Sequence, residues 1–258
     1  MNPLYDAVLA QLPFYMLASI RVAVTFAALP APFGSVTPTS VRMAVSMCVT
    51  VAICTSLVGL AAPVALDTVS LLRAGLGELL VGGVMGMTVR VTLAAAEMAG
   101  SSAGESMGLG FATTVDPTRG DTVLPTTQLF SGVATLLFLA LDGHHALIAA
   151  LLASFRLAPV GDAFRTAAVG GLLQVSSAMM ARGMQIAAPV VATMFIVQLG
   201  TAMASRAAPR VHLFAFSFAV VVSAGMIVLW FAAPAVVTAI GAQVRRLPDT
   251  LSFVLGST

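Results

Sequence analysis

Hydrophobic residues along this chain come in long runs, not in the short alternating patterns of strands. The first run covers about 7–29 and is followed by a proline-rich loop, 30–38, that ends near Arg42. Further runs cover 43–66, 74–100 and 123–141. A shorter apolar piece lies at 146–155. From 167 to 204 the chain is apolar but interrupted by Arg182, Gly183 and Pro189, and a last run covers 211–240. A polar segment, 101–122, separates the third run from the fourth, and the tail carries Arg245 and Arg246. A helix needs about 20 apolar residues to cross the hydrocarbon core of a bilayer. The pattern therefore predicts an all-α, polytopic membrane protein of about six apolar helices, with 146–155 too short to span alone.

Composition agrees. Hydrophobic residues make up 59% of the chain and charged ones 9%, with a mean hydropathy of +1.02. Soluble domains carry about 25% charged residues. A net charge of +2 supplies no basic face for nucleic acid. Cys48 and Cys54, six apart on a helix, fall on different faces and read as small buried hydrophobes. The residues match no cofactor or metal motif. Asp6 and the lack of an early cation mark the first run as a retained span, since a cleavable leader begins with positive charge. Arginine in the loops sets no orientation. Arg73, Arg156, Arg165, Arg245 and Arg246 share a side with the termini, against Arg42, Arg119, Arg206 and Arg210 on the other. A chain finished inside a larger assembly need not show that bias.

Charges inside the apolar runs are the next signal. Arg21, Glu78, Arg90, Glu97 and Arg182 all lie there. Each costs about 2.5–3.5 kcal/mol at a helix centre on insertion scales, so such residues face a partner or a wet cavity, or snorkel to an interface. Arg90 and Glu97 share a face but stand about 10 Å apart along the axis, too far to pair with each other. Each is expected to meet another helix or subunit. Gly83, Arg90, Glu97 and Gly104 form a seven-spaced stripe. The pairs Gly82/Gly86 and Gly104/Gly108 add small steps that let backbones approach. The third run is thus expected to pack on protein.

Two motifs suggest chemistry only weakly. Gly100-Ser101-Ser102-Ala103-Gly104 spells G-x-S-x-G, a nucleophile elbow only in a strand-to-helix turn. A membrane protease using His144, His145 or His212 as base would lack an orienting third group. Asp142-Gly143-His144-His145 reads as a helix start in which Asp142 caps, not as a metal centre. The segment 104–120 holds four glycines and Pro117, which argue against continuous helix. Met107, Leu109, Phe111 and Val115 make it stickier than a solvated loop. It is either a flexible plug that packs into a gap or an ordinary surface connection.

An ordered set of short motifs goes further. Arg21 is followed by Pro30-Ala31-Pro32-Phe33-Gly34 and by Thr37-Pro38-Thr39-Ser40-Val41-Arg42. Glu97, Gly104-Glu105, Met107-Gly108-Leu109-Gly110-Phe111 and Asp116-Pro117 follow. Then come Leu137-Phe138-Leu139, Asp142-Gly143-His144-His145, Ser154-Phe155 and Pro159-Val160-Gly161. The last block is Ala187-Ala188-Pro189-Val190, Gly200, Arg206-Ala207-Ala208-Pro209 and Phe214. In this order, over nearly the whole chain, they resemble the FliR family of the flagellar protein-export gate, and more its flagellar than its injectisome branch. The resemblance implies a non-catalytic gate subunit in the bacterial inner membrane, within the flagellar basal body. It implies broken helical hairpins, with 1–175 resembling FliP and 176–258 resembling the FliQ hairpin. FliP-like, FliQ-like and FlhB-like proteins are the implied partners, alongside membrane lipid, and unfolded flagellar subunits the implied cargo. The family's pore plug falls on 104–120, through Gly104, Glu105, Met107, Gly108, Leu109, Gly110, Phe111, Asp116 and Pro117. Arg21, Glu78, Arg90, Glu97, Arg182 and Arg206 become candidate intersubunit charges. A small-solute transporter is the competing reading, but the interruptions near Pro30 and at 183–189 do not form matched halves.

Overall fold

The computed structural model describes residues 3–29, 38–56, 67–110, 123–160, 167–207 and 213–256. Among these there is no strand. The helices are α1 Pro3–Ala28, α2 Thr39–Ser56, α3 Thr68–Ser106, α4 Pro125–Ala140, α5 Gly143–Leu157, α6 Ala167–Ala207, α7 Leu213–Arg245 and α8 Leu247–Leu255. The all-α membrane architecture expected from the apolar runs is therefore present. By length and composition, three stretches among the described residues can cross a membrane: Thr68–Ser106, Gly170–Ala204 and Ser217–Leu255. A fourth arises if α4 and α5, broken at Leu141 and Asp142, count as one.

Several elements differ from the hydrophobic pattern. The third run forms one helix of 39 residues, with Gly82, Gly86, Gly100 and Gly104 close against neighbouring helices. The interruption anticipated at 182–189 is absent, and α6 continues through Pro189. Proline removes one helical hydrogen bond, but neighbouring helices and Ser/Thr side chains make it tolerable in a membrane. Pro13 and Pro234 lie inside α1 and α7 in the same way. The tail forms α8, which the apolar-run criterion passes over because it is short. Its buried residues Leu247, Leu251 and Val254 show the helical spacing that reveals it.

The helices divide into two compact units, Met1–Val91 with Asp142–Ser177 and Arg246–Thr258, and Thr92–Leu141 with Ala178–Arg245. These units interleave along the chain, so they follow different lines from the division at 175/176.

In the first unit, α2 packs on α1 and α8 on α5. The contact of α1 with α3 is set by glycine. A Cβ on Gly82 would collide with the carbonyl oxygen of Arg21. One on Gly86 would lie 2.6 Å from Ala28 Cβ and 2.7 Å from the Thr25 carbonyl oxygen. The Thr25 hydroxyl sits in this contact, 2.8 Å from the Arg21 carbonyl and 3.1 Å from that of Gly82. The Gly82/Gly86 step is thus a true close approach.

The second unit uses the same device. A Cβ on Gly100 would lie 2.8 Å from the Thr126 carbonyl oxygen and 2.9 Å from Phe130 Cβ on α4. One on Gly183 of α6 would lie 2.7 Å from the Ala95 carbonyl oxygen of α3. The buried amide of Gln243 on α7 donates to the Thr92 carbonyl of α3 at 3.0 Å. Of the apolar stretch of α3, 61% is buried, against 22% for α6 and 17% for Ser217–Leu255. Packing of α3 on protein is borne out, whereas α6 and α7 present Phe195, Ile196, Met203, Trp230 and Phe231 outward.

Gly82→Val is expected to lower the stability of the purified protein by at least about 1–3 kcal/mol, because the clash is with backbone. Thermal unfolding in detergent checks this. Gly132→Ala, where a Cβ meets nothing within 4 Å, is the control.

Candidate functional site

The first group of candidate residues lies inside the first unit. Arg21, on α1, is fully buried, and so is Glu78, on α3. Helical spacing puts Arg21, Thr25 and Ala28 on one face of α1, and Glu78, Gly82 and Gly86 on one face of α3. The glycine contact that draws those faces together also brings the charges within reach. Arg21 Nε donates to Glu78 Oε2 at 2.5 Å. Its Nη1 donates to Ser154 Oγ of α5 at 3.1 Å, and its Nη2 to the Ala158 carbonyl at 2.9 Å. The guanidinium carbon stands 4.2 Å from the centre of the Phe155 ring. Arg21 and Glu78, two of the candidate intersubunit charges, thus pair with each other within the chain.

The remaining charges are placed differently. Glu97 is half-buried on α3 and accepts a hydrogen bond from Ser131 Oγ of α4 at 2.9 Å. This hydrogen bond joins α3 to α4. Arg90 and Arg206 are exposed and Arg182 is half-buried. Glu105 is exposed at the end of α3.

The segment 104–120 begins inside a helix. α3 continues through Ser106, so the expectation of irregular backbone from Gly104 onward is corrected by three residues. Gly104 fits against α4, where a Cβ would collide with the Thr126 hydroxyl. The helix stops at Gly108, whose φ of 74° lies in the left-handed region. The Gly108 amide donates to the Glu105 carbonyl at 3.0 Å and the Leu109 amide to that of Gly104 at 3.0 Å. This pair of bonds with a left-handed glycine is the Schellman ending of a helix. Gly108 is therefore a helix terminator, not a second packing step, and a Cβ there would meet nothing within 4 Å. Met107, anticipated as a channel-filling group, is fully buried against α7 at Gly225. Gln198 of α6 donates from Nε2 to the Ser106 carbonyl at 2.6 Å. Neither Gln198 nor Gly225 stood out in the sequence. Leu109 and Gly110 are half-buried, and Phe111, Asp116 and Pro117 lie outside the described residues.

The motifs of possible chemistry also resolve. Gly100–Gly104 is uninterrupted α3, which is no nucleophile elbow. Asp142 precedes α5 with a φ of 55° and makes no side-chain cap bond, contrary to the capping expectation. Its carboxylate reaches sideways to His145 Nδ1 at 3.1 Å, in an exposed pair. Asp142, His144 and His145 bring potential ligand atoms within 4.8 Å of one another, although no metal was expected there. His144 Nδ1 is buried without a hydrogen-bond partner.

Residues 12–247 match the family described as bacterial export proteins, family 1. The chain is 30% identical over 164 residues to the flagellar biosynthetic protein FliR of Pectobacterium carotovorum subsp. carotovorum, covering 61% of this chain and 60% of that one. It is 28% identical over 219 residues to the protein of that name from Escherichia coli strain K12, covering 84% and 83%. To that from Bacillus subtilis strain 168 it is 26% identical over 228 residues, covering 87% of each.

Arg21→Leu and Glu78→Leu are each expected to cost about 3–5 kcal/mol, because one buried charge is left unmatched. The double substitution should recover most of that loss. Unfolding of the purified variants measures all three, and a double variant as unstable as the sum of the singles would contradict the pairing.

Proposed function

We infer the function of this chain from its kinship, for it belongs to the bacterial export proteins, family 1. It is a membrane-embedded flagellar export protein of the FliR family. Beyond that, it is a non-catalytic subunit of the export gate in the inner membrane of the basal body. It helps to form the channel for unfolded flagellar subunits and to plug it. Its partners are FliP-like and FliQ-like subunits and an FlhB-like protein. Residues 1–175 correspond to a FliP-like part and 176–258 to a FliQ-like hairpin. The single observation that carries this reading is the family match over 12–247.

Two features of the chain agree with the reading. Large apolar side chains project from α6 and α7, as required of helices covered by lipid or neighbouring subunits. Arg90, Arg182 and Arg206 lie exposed or half-buried, available to carboxylates of those subunits. The plug is the segment 104–120, of which 111–120 lies outside the described residues. Among its described residues, Leu109 is the large apolar side chain left to fill the channel, since Met107 is buried against α7.

Removal of the gene should abolish secretion of flagellar subunits and leave the membrane otherwise intact. Unchanged secretion would contradict the gate role. Deletion of 108–114 should give a gate that assembles but leaks ions, as read by conductance in cells making the whole complex. A deleted gate as tight as the parent would show that this segment is not the plug. Glu97→Leu should reduce the yield of co-purified complex more than Glu105→Leu, since only Glu97 is packed against a neighbouring helix. Equal yields would count against a role for Glu97 in assembly.

A further inference from the structure

We propose that Met107, Gly225 and Gln198 are positioning residues that fix the point from which the plug segment departs. The inference rests on the plug reading of 104–120 for its consequence, but its geometry belongs to residues within a single compact unit.

A helix leaves its last four carbonyls without partners, and its end frays unless something holds it. At the end of α3 three separate contacts do so. The first is the Schellman ending at Gly108, which turns the chain without a side-chain penalty. The second is the Gln198 amide on the Ser106 carbonyl, 2.6 Å away, which satisfies one of those carbonyls from α6. The third is Met107. Its side chain is fully buried, in a notch that exists because residue 225 of α7 lacks a side chain. A Cβ on Gly225 would lie 2.5 Å from Met107 Cε and 2.6 Å from its Cγ. Gly108, Leu109 and Gly110 are only half-buried, and a Cβ on Gly108 or Gly110 would meet nothing within 4 Å.

Met107 is thus the last fully buried side chain among the described residues up to Gly110. Methionine suits the task, because its unbranched thioether enters and leaves an irregular notch by rotation about single bonds. All three contacts are uncharged, so the hold is one of shape, the two backbone bonds of the helix ending and one side-chain hydrogen bond. Alanine at 225 fills the notch while leaving the apolar character of α7 unchanged. It should evict Met107 and let the end of α3 and the residues after it sample other positions.

The test uses the whole gate in cells, with Cys48 and Cys54 changed to alanine and Leu109→Cys as the reporter. Gly225→Ala and Met107→Ala should each assemble at the parental yield. Each should accelerate maleimide labelling at 109 by about tenfold, since labelling follows the population of the opened end. Combining Met107→Ala with Gly225→Met refills the notch from the other helix and should restore slow labelling, which a general loss of stability would not do. If Gly225→Ala does not assemble, Gln198→Leu carries the test, because it removes one hydrogen bond from an exposed position. Its labelling should also accelerate. Labelling at the parental rate in every variant that assembles would overturn the proposal. Ion conductance separates this outcome from failure of the plug reading. Faster labelling without any leak, in Gly225→Ala and in the 108–114 deletion alike, keeps the anchor and rejects the plug. A leaky deletion with parental labelling in the point variants keeps the plug and rejects the anchor.

Discussion

A charge placed in an apolar helix must find its opposite, and in the first unit that requirement fixes where α1, α3 and α5 meet. Arg21 meets Glu78 at 2.5 Å and uses its other nitrogens on Ser154 and the Ala158 carbonyl. Such a pair adds little net stability, since desolvation offsets most of the attraction. Its effect is on register. A slide of α1 along α3 by one turn, about 5.4 Å, would strand both charges in a place without water. The same slide would drive the backbone of α1 off Gly82 and Gly86, the positions where it fits. Shape and charge therefore specify one arrangement, and each makes the other possible.

The second unit reaches a comparable result almost without charge. Gly100, Gly183 and Gly225 are receiving points for Thr126, Ala95 and Met107. In lipid no hydrophobic force drives helices together, and close packing at small residues has to supply the association. That explains why the most glycine-rich helix, α3, is also the most buried. α6 and α7 remain largely uncovered within the chain, and a subunit of a membrane assembly needs such faces. Glu97 belongs to this unit and accepts a hydrogen bond from the Ser131 hydroxyl.

Much of this was legible in the residues, for identifiable reasons. The apolar runs located the long helices because a bilayer imposes a length that composition alone can meet. Gly82 and Gly86 marked a close approach because small residues four apart on one helix face let another backbone come near. The pairing of Arg21 with Glu78 was not legible: 57 positions separate them, and spacing rules reach only along one helix. Gln198 and Gly225 escaped for the same reason, since their partners lie on α3. Helix α8 was overlooked because nine residues fall below any spanning length, although Leu247, Leu251 and Val254 carried its period. Pro189 misled in the opposite direction, because rules learned in water overstate what proline does to a helix surrounded by protein and lipid.

On the plug reading, the end of α3 leads from the buried Met107 toward the export path. Photo-crosslinking from single positions in a gate holding a stalled flagellar subunit tests it directly. A crosslinker at position 109 should capture the stalled subunit, while one at 107, enclosed within the chain, and one at 231, on the outer face of α7, should not. Failure at 109 in an assembled, cargo-filled gate would contradict the account, as would equal capture from all three positions.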